Sequence, residues 1–358
     1  MGSDWAGQFD HLREYCEVVY LERTKGISST MLRGKRFGII RLGIIGSGRI
    51  AKRFVPEVKY VSGINTEVVY NPNLESAKNL AQENELQVYT DDIDVLYEHA
   101  DAIYIATPHN THYEYVKDAL NHGKHVLCEK PMVLSEKQAT ELFELAEERG
   151  VILIEALKTA YAPGFIKLIS TAKSGKIGKI VDAEAAFTKL VTGNGREFQK
   201  EENGGSFTEL GSYPLLAIFK IFGTNYKEVH FKSFCNKDGI DLYTKADIEY
   251  EHAVASIKVG LGVKSEGNLV ISGTRGNIIA DAPWWMTKNF EIHYENTDLN
   301  EKYFSMYLGQ GLRYEIAAFV SLINHYDRKQ IMSKKESIAL ARVMEAFLQD
   351  EQKKIIEL

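Results

Sequence analysis

The sequence predicts an α/β protein: a doubly wound parallel sheet followed by an α+β domain built on a large, mostly antiparallel open sheet. Three observations carry this. Short apolar runs alternate with helical patterns from about Phe37 to Glu155, the pattern of a parallel sheet covered on both faces. A glycine-rich turn follows the first apolar run, at Gly46-Ser47-Gly48. From Ile180 onward the runs follow one another with little more than turns between them, which is antiparallel grammar.

Strands are expected at 42–45, 67–70, 102–106, 125–128 and 151–154, with helices at 73–84 and 112–122 between them. A further helix, 136–149, starts from a capping box of Ser135 and Gln138 and is closed by Gly150, because Ser accepts from an early helical N–H and Gly tolerates the left-handed conformation. In the second half, strands are expected at 180–187, 228–234, 247–259, 267–272 and 277–279. Helices are expected at 213–222, 312–325 and 336–354. The domains then run 1–36, 37–160 and 161–358.

Composition narrows the class. With 358 residues, 44% hydrophobic and 26% charged, the chain can bury two sizeable cores. A formal charge of -6 argues against nucleic acid, which calls for a basic face. No apolar run approaches the ~18 residues of a membrane span. Cys16, Cys128 and Cys235 lie far apart and form no metal or redox spacing, as expected of a cytoplasmic protein. No metal site is expected.

The run Leu42-Gly43-Ile44-Ile45-Gly46-Ser47-Gly48-Arg49-Ile50-Ala51 places the glycines between a strand and a helix start. Gly46 permits the tight turn, Gly48 lets backbone approach a pyrophosphate, and Ala51 permits close helix packing. Helix N–H groups then face the phosphates. At the end of the second strand an acid selects the ribose hydroxyl of NAD and an Arg accepts the NADP phosphate. Here Asn71-Pro72 is neither, so either cofactor is possible and the lean is to NAD.

Three later stretches complete a constellation: Ala106-Thr107-Pro108-His109-Asn110-Thr111-His112, Cys128-Glu129-Lys130-Pro131, and Gly204-Gly205-Ser206-Phe207-Thr208-Glu209-Leu210-Gly211-Ser212-Tyr213. With the glycine turn they resemble the glucose–fructose oxidoreductase / inositol dehydrogenase (Gfo/Idh/MocA) family over roughly Phe37 to Leu358. The resemblance also covers the Gly311-Leu312-Arg313-Tyr314-Glu315 helix start. It implies hydride transfer between NAD(P) and a secondary alcohol of a sugar, polyol or related compound. It makes Lys130 the acid–base group, with Tyr213 assisting and Glu209 orienting in place of the family's usual Asp. A lysine serves as base only where burial or a neighbouring positive charge eases loss of its proton. Cofactor contacts are expected from Gly46, Ser47, Gly48, Arg49, Ile50, Asn71, Thr107, Pro108, His109, His112, Glu129 and Lys130. Substrate contacts are expected from Lys158, Tyr161 and Trp284, the tryptophan stacking on sugar C–H faces.

Two other readings use the same fold. One is a cofactor-bound sensor without turnover, which need not keep Lys130 and Tyr213. The other is a lyase or glycosidase that uses NAD transiently. A homo-oligomer, dimer or tetramer, is expected through the second sheet, whose outer face would carry Val254, Ile257, Val259, Leu269 and Ile271.

The first 36 residues differ in character, mixing charge with Trp5, Phe9, Tyr15 and Tyr20 and ending in a polar run. The stretch Arg23-Thr24-Lys25-Gly26-Ile27-Ser28-Ser29-Thr30 resembles the C-terminal end of a glycerol-3-phosphate cytidylyltransferase, and so reads as a remnant or a truncated fusion. It holds none of the redox motifs. Deleting residues 1–36 should therefore leave kcat/KM within a few-fold; a folded variant that binds cofactor but no longer turns over would refute this.

Overall fold

The computed structural model describes residues 38–193, 195–324, 330–350 and 354–357. Residues 1–36, for which the sequence suggested a cytidylyltransferase remnant, lie outside them. Residues from Ile40 to Leu358 form one unit, in which two sheets meet.

The first sheet is parallel, in the order β3-β2-β1-β4-β5-β6. It contains β1 (Ile40–Ile45), β2 (Ile64–Tyr70), β3 (Val88–Thr90), β4 (Ala102–Ile105), β5 (His125–Glu129) and β6 (Leu153–Ala156). Helices α1 (Arg49–Val58), α2 (Leu74–Glu83), α3 (Ile93–His99), α4 (His112–Asn121) and α5 (Glu136–Arg149) connect them. Leu42, Ile44, Ile45, Ile103, Tyr104 and Ile105 are wholly buried, as strands covered on both faces must be. The sheet is built outward from β1, and the strand order reverses between β1 and β4. The crevice outside the strand ends at such a switch point is where α/β sheets bind ligands.

Helix α5 begins and ends where expected, and Gly150 closes it in the left-handed region at φ +66. Its start is held differently. Ser135 makes no cap hydrogen bond to the helix. Instead Glu345, from a distant helix, accepts from the Glu136 N–H at 2.9 Å and from the Ser135 hydroxyl at 3.3 Å. A carboxylate at a helix N-terminus outcompetes a neutral hydroxyl.

The second sheet has nine strands, in the order β14-β13-β12-β11-β7-β10-β9-β8-β15. These are β7 (Ile180–Thr188), β8 (Glu228–Cys235), β9 (Asp241–Glu249), β10 (Val254–Gly260), β11 (Leu269–Gly273), β12 (Asn277–Ala280), β13 (Asn289–His293), β14 (Glu301–Phe304) and β15 (Lys354–Glu357). Helix α6 (Pro163–Lys173) leads into it. Helices α7 (Ser206–Leu210) and α8 (Ser212–Phe222) follow β7, and α9 (Leu312–Ile323) and α10 (Lys334–Gln349) follow β14. Pairing is antiparallel except for β7 with β10 and β8 with β15.

Two expectations change here. The expected single strand 247–259 is the two arms of a hairpin, β9 and β10, paired from Val254 with Glu249 to Gly260 with Tyr243. The apolar residues assigned to the outer face also divide differently. Val254 is 55% exposed, but Ile257, Val259, Leu269 and Ile271 are fully buried beneath the helices. The outward positions between them are Ser256, Lys258, Val270 and Ser272. Period-two alternation specifies the two sets, but only the packing of α7 and α8 says which set is inside.

Trp284 is wholly buried in this second core, and its indole N–H donates to the Ala186 carbonyl at 2.8 Å. It is a core residue, contrary to its expected place in a sugar pocket. Trp284→Ala should therefore cost about 3–5 kcal/mol in stability, read from the urea midpoint, with cofactor affinity unchanged. A loss below about 1 kcal/mol on the same scale would contradict that placement.

Candidate active site

A cleft of about 850 Å³ runs along the carboxyl ends of the parallel strands, with residues of the second sheet and its helices forming the opposite wall. Sequence placed Gly46, Ser47, Gly48, Arg49, Ile50, Asn71, Thr107, Pro108, His109, His112, Glu129, Lys130, Lys158, Glu209 and Tyr213 in a functional site, and all of them line it. Tyr161 and Trp284 do not.

The glycine turn is built as the motif requires. Gly46 has φ +98, and a Cβ there would lie 2.6 Å from the Ala106 carbonyl oxygen. A Cβ on Gly48 would meet nothing within 4 Å, so the space above it is open to a ligand. Gly48 is the N-cap of α1 and no side chain caps that helix, leaving its first N–H groups for an anion. Asn71 ties the turn to the end of β2: its amide donates to the Ser47 hydroxyl at 2.9 Å, and its oxygen accepts from the Asn73 N–H at 2.8 Å. These residues fit a dinucleotide pyrophosphate.

Lys130 stands just beyond β5 and its peptide bond to Pro131 is cis. Its Nζ donates to the Glu209 carbonyl oxygen at 3.0 Å and lies 6.0 Å from the centre of the Tyr213 ring. The wall that supplies Glu209 and Tyr213 is anchored by close backbone approach. Gly205 has φ +134, and a Cβ there would lie 2.1 Å from a carboxylate oxygen of Asp241. That carboxylate accepts from the Phe207 N–H at 2.9 Å, and the Ser206 hydroxyl donates to the Asp241 carbonyl at 2.9 Å. Gly205 is therefore a steric requirement for seating α7 on β9, while a Cβ on Gly204 would lie 2.6 Å from the Glu197 carbonyl oxygen.

The two histidines differ. Both ring nitrogens of His112 lie 2.9 Å from backbone carbonyls, those of Pro131 and Thr107. The ring thus bridges the loop after β4 and the Lys130–Pro131 turn, its single N–H when neutral donating to one of the two carbonyls. Burial, against those two bonds, pushes its pKa down to about 4. His109 is buried too. Burial first, then the charge of Lys130, lowers its pKa well below that of a solvated imidazole. A neutral His109, with Nε2 3.8 Å from Glu209, makes no ion pair there. Glu209 meets Arg196 instead, at 3.3 Å.

Beneath Lys130 the carboxyls are held up. Burial raises Glu129, opposed by Lys130 and by the Tyr104 hydroxyl, which donates to it at 2.6 Å. Burial also lifts Glu155 to about 7. Tyr161, expected to touch substrate, is buried and turns its hydroxyl to the Glu155 carbonyl at 3.3 Å. Burial brings Lys158 down, and its ammonium donates to the Gln310 carbonyl at 2.8 Å.

The cleft also contains residues not assigned to a site from sequence: Arg53, Lys189, Arg196 and Glu197, together with Leu312 and Glu315 of the helix start already noted. Arg53 was reachable, since it lies four residues after Arg49 on one helix face. Arg196 and Glu197 sit in a polar loop with no local signal; Glu197 pairs with Arg49 across the cleft. Among the described residues, no cluster of His, Cys, Asp or Glu could hold a metal ion. No helix there is long and apolar enough to cross a membrane.

A glycine turn on the first strand of a parallel sheet, facing a lysine and a tyrosine across the strand ends, defines a nicotinamide-dinucleotide oxidoreductase. The chain belongs to the GFO/IDH/MocA family. Residues 40–157 match its oxidoreductase, NAD-binding Rossmann fold and residues 165–279 its C-terminal domain. The sequence is 28% identical over 330 residues to scyllo-inositol 2-dehydrogenase (NADP(+)) of Bacillus subtilis (strain 168), covering 86% of this chain and 95% of that one. It is 26% identical over 325 residues to trans-1,2-dihydrobenzene-1,2-diol dehydrogenase of Xenopus tropicalis, covering 86% and 96%. The fold matches a 3-ketoreductase of Actinomadura kijaniata solved with NADP and TDP-benzene, at TM-score 0.80 and 22% identity over 89% of this chain and 99% of that one. It also matches levoglucosan dehydrogenase in complex with NADH and levoglucosan, at TM-score 0.78 and 16% identity over 87% and 96%. The protein is an NAD(P)-dependent dehydrogenase or reductase.

The two glycines should separate on substitution. Gly46→Ala should destabilise the fold, because the backbone conformation and the Ala106 carbonyl both oppose a Cβ. Gly48→Ala should leave the melting temperature unchanged yet weaken dinucleotide binding at least tenfold. Wild-type affinity in the Gly48 variant would show that no phosphate approaches that backbone.

Proposed function

We propose that the protein moves a hydride reversibly between NAD(P) and a secondary alcohol or ketone of a sugar, polyol or related diol. In this reading Lys130 is the acid–base group, Tyr213 its assistant, and Glu209 an orienting group. The observation that carries it is the meeting of Lys130 Nζ with the Glu209 carbonyl at 3.0 Å, beside the Tyr213 ring and in the same cleft as the glycine turn. When bound, the nicotinamide supplies the hydride chemistry, and the protein's task is to position and to handle the proton. Lys130 Nζ takes the hydroxyl proton in oxidation and returns it in reduction. The Tyr213 phenol has its pKa raised by burial first and then by Glu129 and Glu315, so it acts as a hydrogen-bond donor to the reacting oxygen. Glu209, fixed by Arg196, orients a neighbouring hydroxyl.

The relatives' names, an inositol, a dihydrodiol and sugar derivatives, support polyhydroxylated substrates for this cleft. The relatives include NADP and NADH users. Asn71, engaged with Ser47 and followed by Pro72, adds no cation for a 2′-phosphate, which supports NAD. We take residues 37–160 as the dinucleotide domain and 161–358 as the substrate and oligomerisation domain. Self-association through the face of the nine-stranded sheet opposite α7 and α8, where Val254 and Val270 stand among polar residues, fits a homodimer or tetramer. The N-terminal segment is read as a remnant of a cytidylyltransferase, and the widely spaced cysteines support a cytoplasmic setting.

Lys130→Met should lower kcat by about 10²–10⁴-fold, the usual contribution of general acid–base catalysis. By calorimetry the same variant should bind NAD as the wild type does, and more tightly than NADP. A variant keeping a tenth of the activity would remove Lys130 from the reaction, and tenfold tighter NADP would reverse the cofactor preference.

A further inference from the structure

Glu315 is the one cleft-lining side chain among the described residues that is wholly buried and leaves both carboxyl oxygens without a hydrogen-bond partner. An unpartnered buried polar group is costly and calls for an explanation. The usual remedies are missing here. The Lys158 ammonium, which would favour the ionised form of Glu315, donates to the Gln310 carbonyl instead. Arg313, two residues before Glu315, is committed to Glu57.

Position identifies what the carboxyl awaits. Ala156, which also lines the cleft, ends β6, the edge strand of the parallel sheet. The glycine turn follows β1, and Asn71 follows β2. A dinucleotide laid across this edge has its pyrophosphate at the turn and its adenosine toward β2. Its nicotinamide then falls on the side of β4, β5 and β6, where Lys130, Ala156, Lys158, Leu312 and Glu315 line the cleft.

We propose that the Glu315 carboxyl is the receptor for the cofactor's carboxamide, pairing with its N–H and its C=O side by side. A primary carboxamide offers one donor and one acceptor in a plane, and a protonated carboxyl offers the complement. Burial, reinforced by the neighbouring Glu129, pushes Glu315 far above the usual carboxylate range, which keeps that proton in place. Leu312 is the apolar neighbour on the same helix. The pairing orients the ring about its bond to the ribose, making Glu315 a positioning residue for hydride transfer. It rests on the cleft taking a nicotinamide dinucleotide.

The test compares the oxidised dinucleotide that binds more tightly with its 3-acetylpyridine analogue, in which a methyl replaces the amide nitrogen. ADP-ribose, which has no nicotinamide, reports the rest of the site. Dissociation constants are measured by calorimetry on the full chain. The wild type should prefer the natural carboxamide about tenfold. Glu315→Met should reduce that preference to about one while leaving ADP-ribose affinity and the fold intact. Glu315→Gln, which keeps a donor beside an acceptor, should retain it within about threefold. Because the Met variant removes an unpartnered buried carboxyl, its melting temperature should rise. Equal wild-type binding of the two dinucleotides, an undiminished preference in the Met variant, or a lowered melting temperature for it would each overturn the assignment. Failure of the wild type to bind ADP-ribose or either dinucleotide would instead refute the dinucleotide reading of the cleft.

Discussion

Lys130 reaches across the cleft to the Glu209 carbonyl, and the rest of the site is arranged around that contact. One end stands on the edge of a parallel sheet and the other on a short helix carried by a different sheet. The hydrogen bond is available only if α7 is seated on β9 with little tolerance. Asp241 does the seating: it accepts from the Phe207 N–H and from the Thr244 hydroxyl, close enough to forbid a side chain at Gly205. Helix α8 then continues from Gly211, and Tyr213 packs edge-on against Phe187 of β7. A backbone constraint of this kind fixes a side chain more tightly than a loop could.

Around this contact the protein buries ionisable groups and lets burial decide their charge. His109 and His112 are held neutral, whereas Glu129, Glu155 and Glu315 are raised toward their protonated forms. Isolated charges there would be costly, and neutralisation is the less expensive response. Those neutral groups act through hydrogen-bond direction, whereas Arg49 with Glu197 and Arg196 with Glu209 remain ion pairs in the same cleft. Glu57 shows the contrast. Although burial pushes its carboxyl up, bonds from the Arg313 side chain and the Gln310 N–H bring it below the usual range. That pair joins α1, which follows the glycine turn, to the start of α9, which carries Leu312 and Glu315.

The first sheet was largely legible because most of its strands are apolar runs followed by a helical pattern. The short β3 escaped, since Val88-Tyr89-Thr90 is only three residues and carries no period. The second sheet was legible as a class but not in detail. The pairing of β15 with β8 and the inner face of the β9–β10 hairpin depend on partners far away in sequence, whereas the turn inside 247–259 and the short strands β13 and β14 pair with near neighbours and lack a strong apolar period. Trp284 illustrates the limit: an indole suits a sugar face and a core equally well, and only the Ala186 carbonyl and the walls around it decide.

By itself the sequence determined the chemistry available. The glycine turn, the lysine after β5 and the Gly-Gly-Ser stretch before Glu209 and Tyr213 are local patterns, because tight turns and helix spacing act over a few residues. Only the tertiary structure decided which groups are buried, and with that their charge and their role. Glu315 reads locally as an acid in a helix's first turn, favourable to the dipole and ordinarily solvated. It becomes a buried, unpartnered carboxyl in the cleft because α9 is held by Arg313 on Glu57 and packs beside the end of β6. Desolvation is set by everything within a few ångströms, most of it remote along the chain, and no local pattern encodes it.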